Sequence, residues 1–301
     1  MPDIRYAQNE NVDRGDLRMQ VIERGTSTPI DDAKISISYS GDPDSTVEEV
    51  NTDASGMSET LTLDTPPLEL SMQPSEVQPY AEYTIQVTAK GYRPINISGI
   101  EVFSGQLSLQ EIRMDAEKAT ESMTDNIVIP AHTLFAEYPP KIAEAEIKPV
   151  TETGEIVLSR VVIPEYVIVH DGAPSDPTAR DYYVRYRDYI KNVASSEIYS
   201  TWPDATIRAN VLAIMSFTLN RVYTEWYRNK GYSFTITSST AYDQKFMYGR
   251  NIYQSISDVV DEMFQNYLSR PNVRQPILTQ YCDGQRVTCS NWLSQWGSKY
   301  L

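Results

Sequence analysis

No stretch of the 301-residue sequence stays apolar for the roughly 18 positions that a membrane-crossing helix needs, so no helical span is expected. The opening residues, MPDIRYAQNENVDRGD, have neither a basic nor an apolar leader region and do not read as a signal peptide. Action outside the cell would then need another export route, or a leader absent from this sequence. Histidine and cysteine are scarce, with two of each. His132 and His170 lie in separate segments with no ligand spacing, and a tetrahedral site needs four donors, so no metal is expected. There is no glycine-rich phosphate loop, and no cofactor is expected. Basic side chains are few in the first half: residues 1–150 hold 11 basic and 26 acidic groups, whereas residues 151–301 hold 15 of each. Phosphate binding requires a basic footprint, which argues against nucleic acid as a partner of that half. Its acidity reads as a solubility device.

Aromatics are distributed the other way. All 4 Trp, 15 of 21 Tyr and 4 of 6 Phe fall in residues 151–301, so the two halves are built differently. From Gly15 to about Met114, short alternating runs such as DLRMQVIE, AKISISYS, SETLTLD, AEYTIQVTA and INISGIEVF are separated by the turn-like TSTPIDD, GDPD, TDASG and KGYRP. Period two with β-branched residues predicts strands, and about seven at this spacing suggest a β-sandwich. The pieces TSTPIDDAKISI, NTDASGMSETL and YTIQVTAKGYRP, in that order, resemble the carboxypeptidase-regulatory-like (prealbumin-like) module. The resemblance implies a non-catalytic spacer or adhesive support. Residues 116–150, acidic and then broken by Pro130, Pro139 and Pro140, read as a connector, with His132 in a structural role.

In the second half, TGEIVLSRVVIPEYVIVHDG supplies one or two strands, and helices follow. The first is expected over Asp181–Glu197. Thr201 and Asp204 fit a capping box around Pro203 for a second, central helix that stops at Gly231. A third is expected from about Ser255 to Leu268, before a tail without clear period. The first helix contains an anomaly. Tyr186, Tyr189, Ile190, Val193 and Ala194 mark one face at steps of three and four, and the next position on that stripe is Glu197. A carboxylate on the apolar face costs a few kcal/mol unless something compensates it. Without further information it reads as a helix-end carboxylate capping the amides around Thr201, or as an exposed group in a frayed last turn.

The stretch YIKNVASSEIYSTWPDATIRANVLAIMSFTLNRVYT resembles the SpoIID (stage II sporulation protein D) signature, in which a glutamate precedes Trp-Pro and a long helix; LSQWGS and STAYDQKFMYG resemble two later family stretches. The resemblance spans about residues 160–301. Taken with the reading of the first half, it implies a multidomain chain: a flexible N-terminus (1–14), an N-terminal all-β sandwich (15–115), the connector (116–150) and an α+β SpoIID-like domain (151–301). It further implies a peptidoglycan lytic transglycosylase that cuts between N-acetylmuramic acid and N-acetylglucosamine and leaves a 1,6-anhydro end. Glu197 takes the catalytic place, and burial that raises its pKa would keep it protonated as a general acid. Substrate contacts are expected from Ser196, Trp202 (also a packing anchor), Tyr242, Asp243, Gln244, Tyr248, Gln280, Asp283 and Gln295.

The sequence also departs from the family pattern. Ala205, Asn210 and Met215 stand where the family has Glu, Gln and Arg, Asp243 stands where many members have Cys, and the tail is compressed. Met215 and the compressed tail favour an alternative, a catalytically inactive cell-wall-binding or scaffold protein. Expected partners are peptidoglycan glycan strands, with further wall-binding or assembly partners, and the expected place is the cell wall or extracellular space. Cys282 and Cys289 form a short-loop disulfide if the protein works outside the cell and remain free thiols if it does not.

Overall fold

The computed structural model describes residues 12–117, 124–145 and 158–301. Of the N-terminal segment expected to be flexible, residues 1–11 lie outside the described residues, as do residues 153–157 of the stretch expected to supply one or two strands. Asp13 and Arg14 already belong to the first strand. The protein is mixed α/β, with several sheets and, among the described residues, four α-helices. It divides into two compact units: the described residues up to Ala131 with Tyr248–Ser255, and His132–Met247 with Ile256–Leu301.

The first unit carries β1 (Asp13–Glu23), β2 (Lys34–Tyr39), β3 (Asp42–Asn51), β4 (Leu61–Thr65), β5 (Ala81–Thr88), β6 (Ile95–Val102), β7 (Leu107–Met114) and β8 (Asp125–Val128). Alternation decides which faces turn inward. Leu17, Met19 and Val21 on β1, Ile35 and Ile37 on β2, and Tyr83, Ile85 and Val87 on β5 are all fully buried. Five strands form a sheet in the order β3-β2-β5-β6-β8. β1 pairs antiparallel to β4 and parallel to β7. Two expectations change here. GDPD supplies only its glycine to the turn and otherwise starts β3; the chain reverses at Ser40 and Gly41, where Gly41 takes a φ of +96° that only glycine adopts freely. Part of the expected connector is also ordered, because β8 pairs parallel to β6.

The second unit begins with β9 (Tyr166–His170), β10 (Asp181–Arg185), α1 (Tyr186–Glu197), α2 (Asp204–Tyr223) and β11 (Ile236–Thr237). The expected first helix is shortened at its start, because Asp181–Arg185 pairs antiparallel to β9. Its DYYVR fits a period of two as well as a helical stripe, and strand pairing decides. α2 is buried on nearly every side, as expected of a central helix. It starts without a capping box: Pro203 is the N-cap and no side chain caps it. It ends at Tyr223 rather than Gly231, the remainder being turns and one 3-10 turn, Arg228–Lys230, closed by Gly231 at φ +84°.

The chain then returns to the first unit, where β12 (Ile252–Tyr253) pairs antiparallel to β7 and completes the order β12-β7-β1-β4. Asn251 Nδ2 donates to the Glu101 carbonyl, and Arg250 pairs with the Glu101 carboxylate out of solvent. After α3 (Gln254–Met263), shorter than the expected helix, come β13 (Tyr281–Cys282), β14 (Leu293–Ser294) and α4 (Gln295–Lys299).

Candidate active site

α1 docks through Tyr189, Ile190, Val193 and Ala194, none of which is exposed, and Glu197 is its last residue. The stripe continues as its spacing indicates, so the carboxyl is carried inward and is 4 % exposed. Ile198 leaves the helix in an extended conformation at φ −134°. The helix carbonyl dipoles end at the carboxyl, which disfavours its charged form.

Two groups hold the Glu197 carboxyl. The Lys245 backbone N–H donates to Oε1 at 2.7 Å, and the Tyr281 hydroxyl donates to Oε2 at 2.5 Å. Each is itself positioned by buried polar contacts. Asn192, one turn earlier on α1, exchanges two hydrogen bonds with the Met247 backbone, which sets the 245–247 loop against the helix. Gln244 donates from Nε2 to the Tyr281 hydroxyl at 3.1 Å and to the Ile214 carbonyl at 3.1 Å. Its Oε1 accepts from Thr218 and from Tyr189. Tyr281 therefore receives a hydrogen bond and is left to donate its own proton to Glu197.

Burial pushes the Glu197 carboxyl above the ordinary glutamate range; Lys141, the Tyr281 and Lys245 hydrogen bonds, and the Lys245 charge pull the other way without cancelling it. The carboxyl opens on a cavity of about 310 Å³, within the roughly 300–1,000 Å³ usual for small-molecule sites. Asp243, Asp283 and Gln295 line the same cavity, as does Cys282, which is disulfide-bonded to Cys289.

Asp243 and Asp283 are committed to structural bonds. Asp243 accepts from Arg221 Nε at 2.6 Å, the Tyr227 hydroxyl at 2.5 Å, and the Thr237 amide and hydroxyl at 2.9 and 2.7 Å. Asp283 accepts from Arg286 and from the amides of Gln285, Arg286 and Val287. Glu137 also lines the cavity but is exposed. Of the two buried carboxyls that line the cavity among the described residues, Asp243 is paired with Arg221 and Glu197 is not, which suits Glu197 to give up and recover a single proton.

Other residues expected to bind substrate stand behind the wall or elsewhere. Ser196 is fully buried; its hydroxyl donates to the Asn192 carbonyl four residues back, so it does not line the cavity. Trp202 packs with Tyr199 and Trp296 in an aromatic cluster, in keeping with its expected anchoring role. Gln280 is tied through both ends of its amide to the Glu144 backbone. Tyr242 contributes its carbonyl to Arg221. Tyr248 belongs to the first unit, where its hydroxyl accepts from Arg24 at 2.6 Å.

His132 and His170 are structural. His132 accepts the Leu134 amide at Nδ1 and faces the Ile198 carbonyl through Nε2, and His170 sits between Asp181 and the Asp176 carbonyl. Tyr281, Lys141 and the Lys245 amide were not found from the sequence. Tyr281 and the Lys245 amide bond the carboxyl from 84 and 48 residues away, Lys141 lines the same cavity from 56 residues away, and no local pattern marks them.

No protein-family model matches the chain, and no curated protein matches it. Solved structures share partial likeness at low scores. The Bacillus anthracis TIE protein matches at a TM-score of 0.24 and 15% identity, over 35% of this chain and 17% of that one. The 5-hydroxyisourate hydrolase of Klebsiella pneumoniae matches at a TM-score of 0.23 and 16% identity, over 34% and 92%. GBS52, a minor pilin of Streptococcus agalactiae, matches at a TM-score of 0.25 and 11% identity, over 36% and 47%. This chain thus spans about a sixth of the first, most of the second and about half of the third. No functional conclusion rests on likeness at this level.

Proposed function

We propose that the second unit is a SpoIID-like lytic transglycosylase of peptidoglycan, with Glu197 as its general acid and base. The reading rests on the residue signature around Glu197-Ile198-Tyr199-Ser200-Thr201-Trp202-Pro203. The observation that carries it is the Glu197 carboxyl, buried, raised in proton affinity, and lining a cavity of small-molecule size. The protonated carboxyl donates to the glycosidic oxygen and the C1–O bond breaks. The C6 hydroxyl oxygen then bonds to C1 and its proton returns to Glu197. Because the nucleophile belongs to the sugar, no second carboxylate has to activate water.

The first unit is read as a β-sandwich of the carboxypeptidase-regulatory-like kind, a non-catalytic spacer. The Cys282–Cys289 disulfide is compatible with the proposed place at the cell wall or outside the cell.

Met215 supports a second reading. It is fully buried in α2 at the position where the resembling family carries arginine. A domain that lost that charge could retain wall binding without chemistry. Incubation with denuded glycan strands and mass spectrometry of the products distinguishes the two. Anhydro-ended fragments from the wild type, absent with Glu197→Gln, support the enzyme. No such product from the wild type, or equal product from both, supports the wall-binding scaffold.

A further inference from the structure

The stretch from His132 to Glu144, expected to be a linker, forms part of the cavity wall. Thr133 donates through its amide and its hydroxyl to the Ser196 carbonyl, and the Ile142 amide donates to the Ala241 carbonyl. Thr240 donates to the Pro139 carbonyl, and Arg286 donates to the carbonyls of Thr133 and Ala136. Glu144 is clamped by both Arg221 terminal nitrogens and by the Gln280 amide. Between these anchors Lys141 turns into the cavity. Its ammonium donates to the Asp243 carbonyl and lies 4.6 Å from the Phe217 ring centre and 5.3 Å from that of Tyr281. Tyr281 is also the residue whose hydroxyl holds Glu197.

We propose that Lys141 is the counter-charge for the carboxylate that Glu197 becomes when it gives up its proton, and hence a positioning residue supplied by a segment outside the SpoIID-like signature. The proposal rests on the reading of Glu197 as the acid. A neutral carboxyl in poorly hydrated surroundings is a weak donor, because its product is a stranded anion. An ammonium held in the wall of the same cavity makes that anion tolerable without providing water. The groups around the pair are few. Glu197 is influenced by Lys141 from the 132–144 stretch, Lys245 from the loop after β11, and Tyr281 from β13, with Tyr189 on its own helix. Lys141 faces Glu197, Asp243 and Glu144 as anions and Arg221 as a cation. Arg221 is already matched by Asp243 and Glu144, which leaves Lys141 to answer Glu197. Burial draws the Lys141 ammonium down to about 8, still charged at neutral pH. The proton cycle is unchanged: one proton passes from Glu197 to the glycosidic oxygen and one returns from the C6 hydroxyl.

The test follows the Glu197 carboxyl directly by carbon-13 NMR of glutamate-labelled protein, its resonance assigned by its loss in Glu197→Gln. Lys141→Met should move its titration upward by about one pH unit or more, the usual effect of removing an opposite charge at close range. Lys141→Gln, which keeps a donor for the Asp243 carbonyl and so guards against misfolding of the methionine variant, should do the same. Lys141→Arg should return the midpoint to that of the wild type. A midpoint common to wild type and both neutral variants overturns the proposal. The readout does not use turnover, so a wild type that makes no anhydro product removes the transglycosylase reading and still leaves the coupling measured.

Discussion

Arg221→Met is the perturbation whose cost the structure defines best. The Arg221 and Asp243 side chains are both 0 % exposed and meet at 2.6 Å, and the same guanidinium grips Glu144, whose side chain is 18 % exposed. Burial alone would lower the arginine's pKa, yet Asp243 and Glu144 raise it, so the cation is held by its partners. Removing one member of a buried pair leaves an uncompensated charge and typically costs about 3–5 kcal/mol. The partly solvated Glu144 arm adds less. Against a domain stability of about 5–15 kcal/mol, Arg221→Met should cost the second unit at least about 3 kcal/mol. Adding Asp243→Asn should cost less than the sum of the two single changes, because the stranded charge is gone. Urea unfolding followed by tryptophan fluorescence reads this unit selectively, since all 4 Trp belong to it. A loss below about 1 kcal/mol, or strict additivity in the double variant, refutes the view that this network anchors the cavity wall.

Other outcomes follow from the same geometry. The wild-type rate should fall as pH rises through the Glu197 titration, because the acid must be protonated, and burial places that limb above the ordinary glutamate value of about 4.3; a rate that instead rises over this range contradicts the assignment. Tyr281→Phe removes a hydrogen bond to the charged carboxyl, worth about 1.5–3 kcal/mol, so the limb should move up by about 1–2 pH units while turnover drops. An unmoved limb in a pH–rate profile counts against Tyr281 as the holder of Glu197. Replacing Cys282 and Cys289 together with serine opens a loop of seven-residue separation and should lower the stability of the second unit by about 2–3 kcal/mol in the same urea assay. A variant as stable as the wild type would show that the β13–β14 pairing alone maintains that wall.

Much of the first unit could be read from sequence because its strands bury alternate residues, as in β5, where Tyr83, Ile85 and Val87 turn inward. β3 could not, since its DPDSTVEEVN opens with turn-formers and continues acidic, and its place comes from pairing with β2. The two-residue strand β12 carries too little pattern to announce that residues 248–255 return to the first unit. In the second unit Glu197 was legible as an exception, a charge placed on an otherwise apolar stripe. Gln244 and Gln295 were found near it, but as supports: one orients Tyr281, and the other donates to the Glu197 carbonyl. Lys141 and Tyr281 were not legible, because long-range packing, and no nearby spacing, brings them to the carboxyl.

Digestion of denuded glycan in oxygen-18 water, with wild type and Glu197→Gln side by side, most directly tests whether a single buried acid cuts the strand by internal attack. Wild type should release anhydro ends that carry no heavy oxygen, and the glutamine variant should release none. Heavy oxygen at newly formed reducing ends would mean that water is the nucleophile and that a second carboxyl, with Glu137 the exposed one at the cavity, shares the work; unchanged cleavage by Glu197→Gln would remove Glu197 from the chemistry altogether.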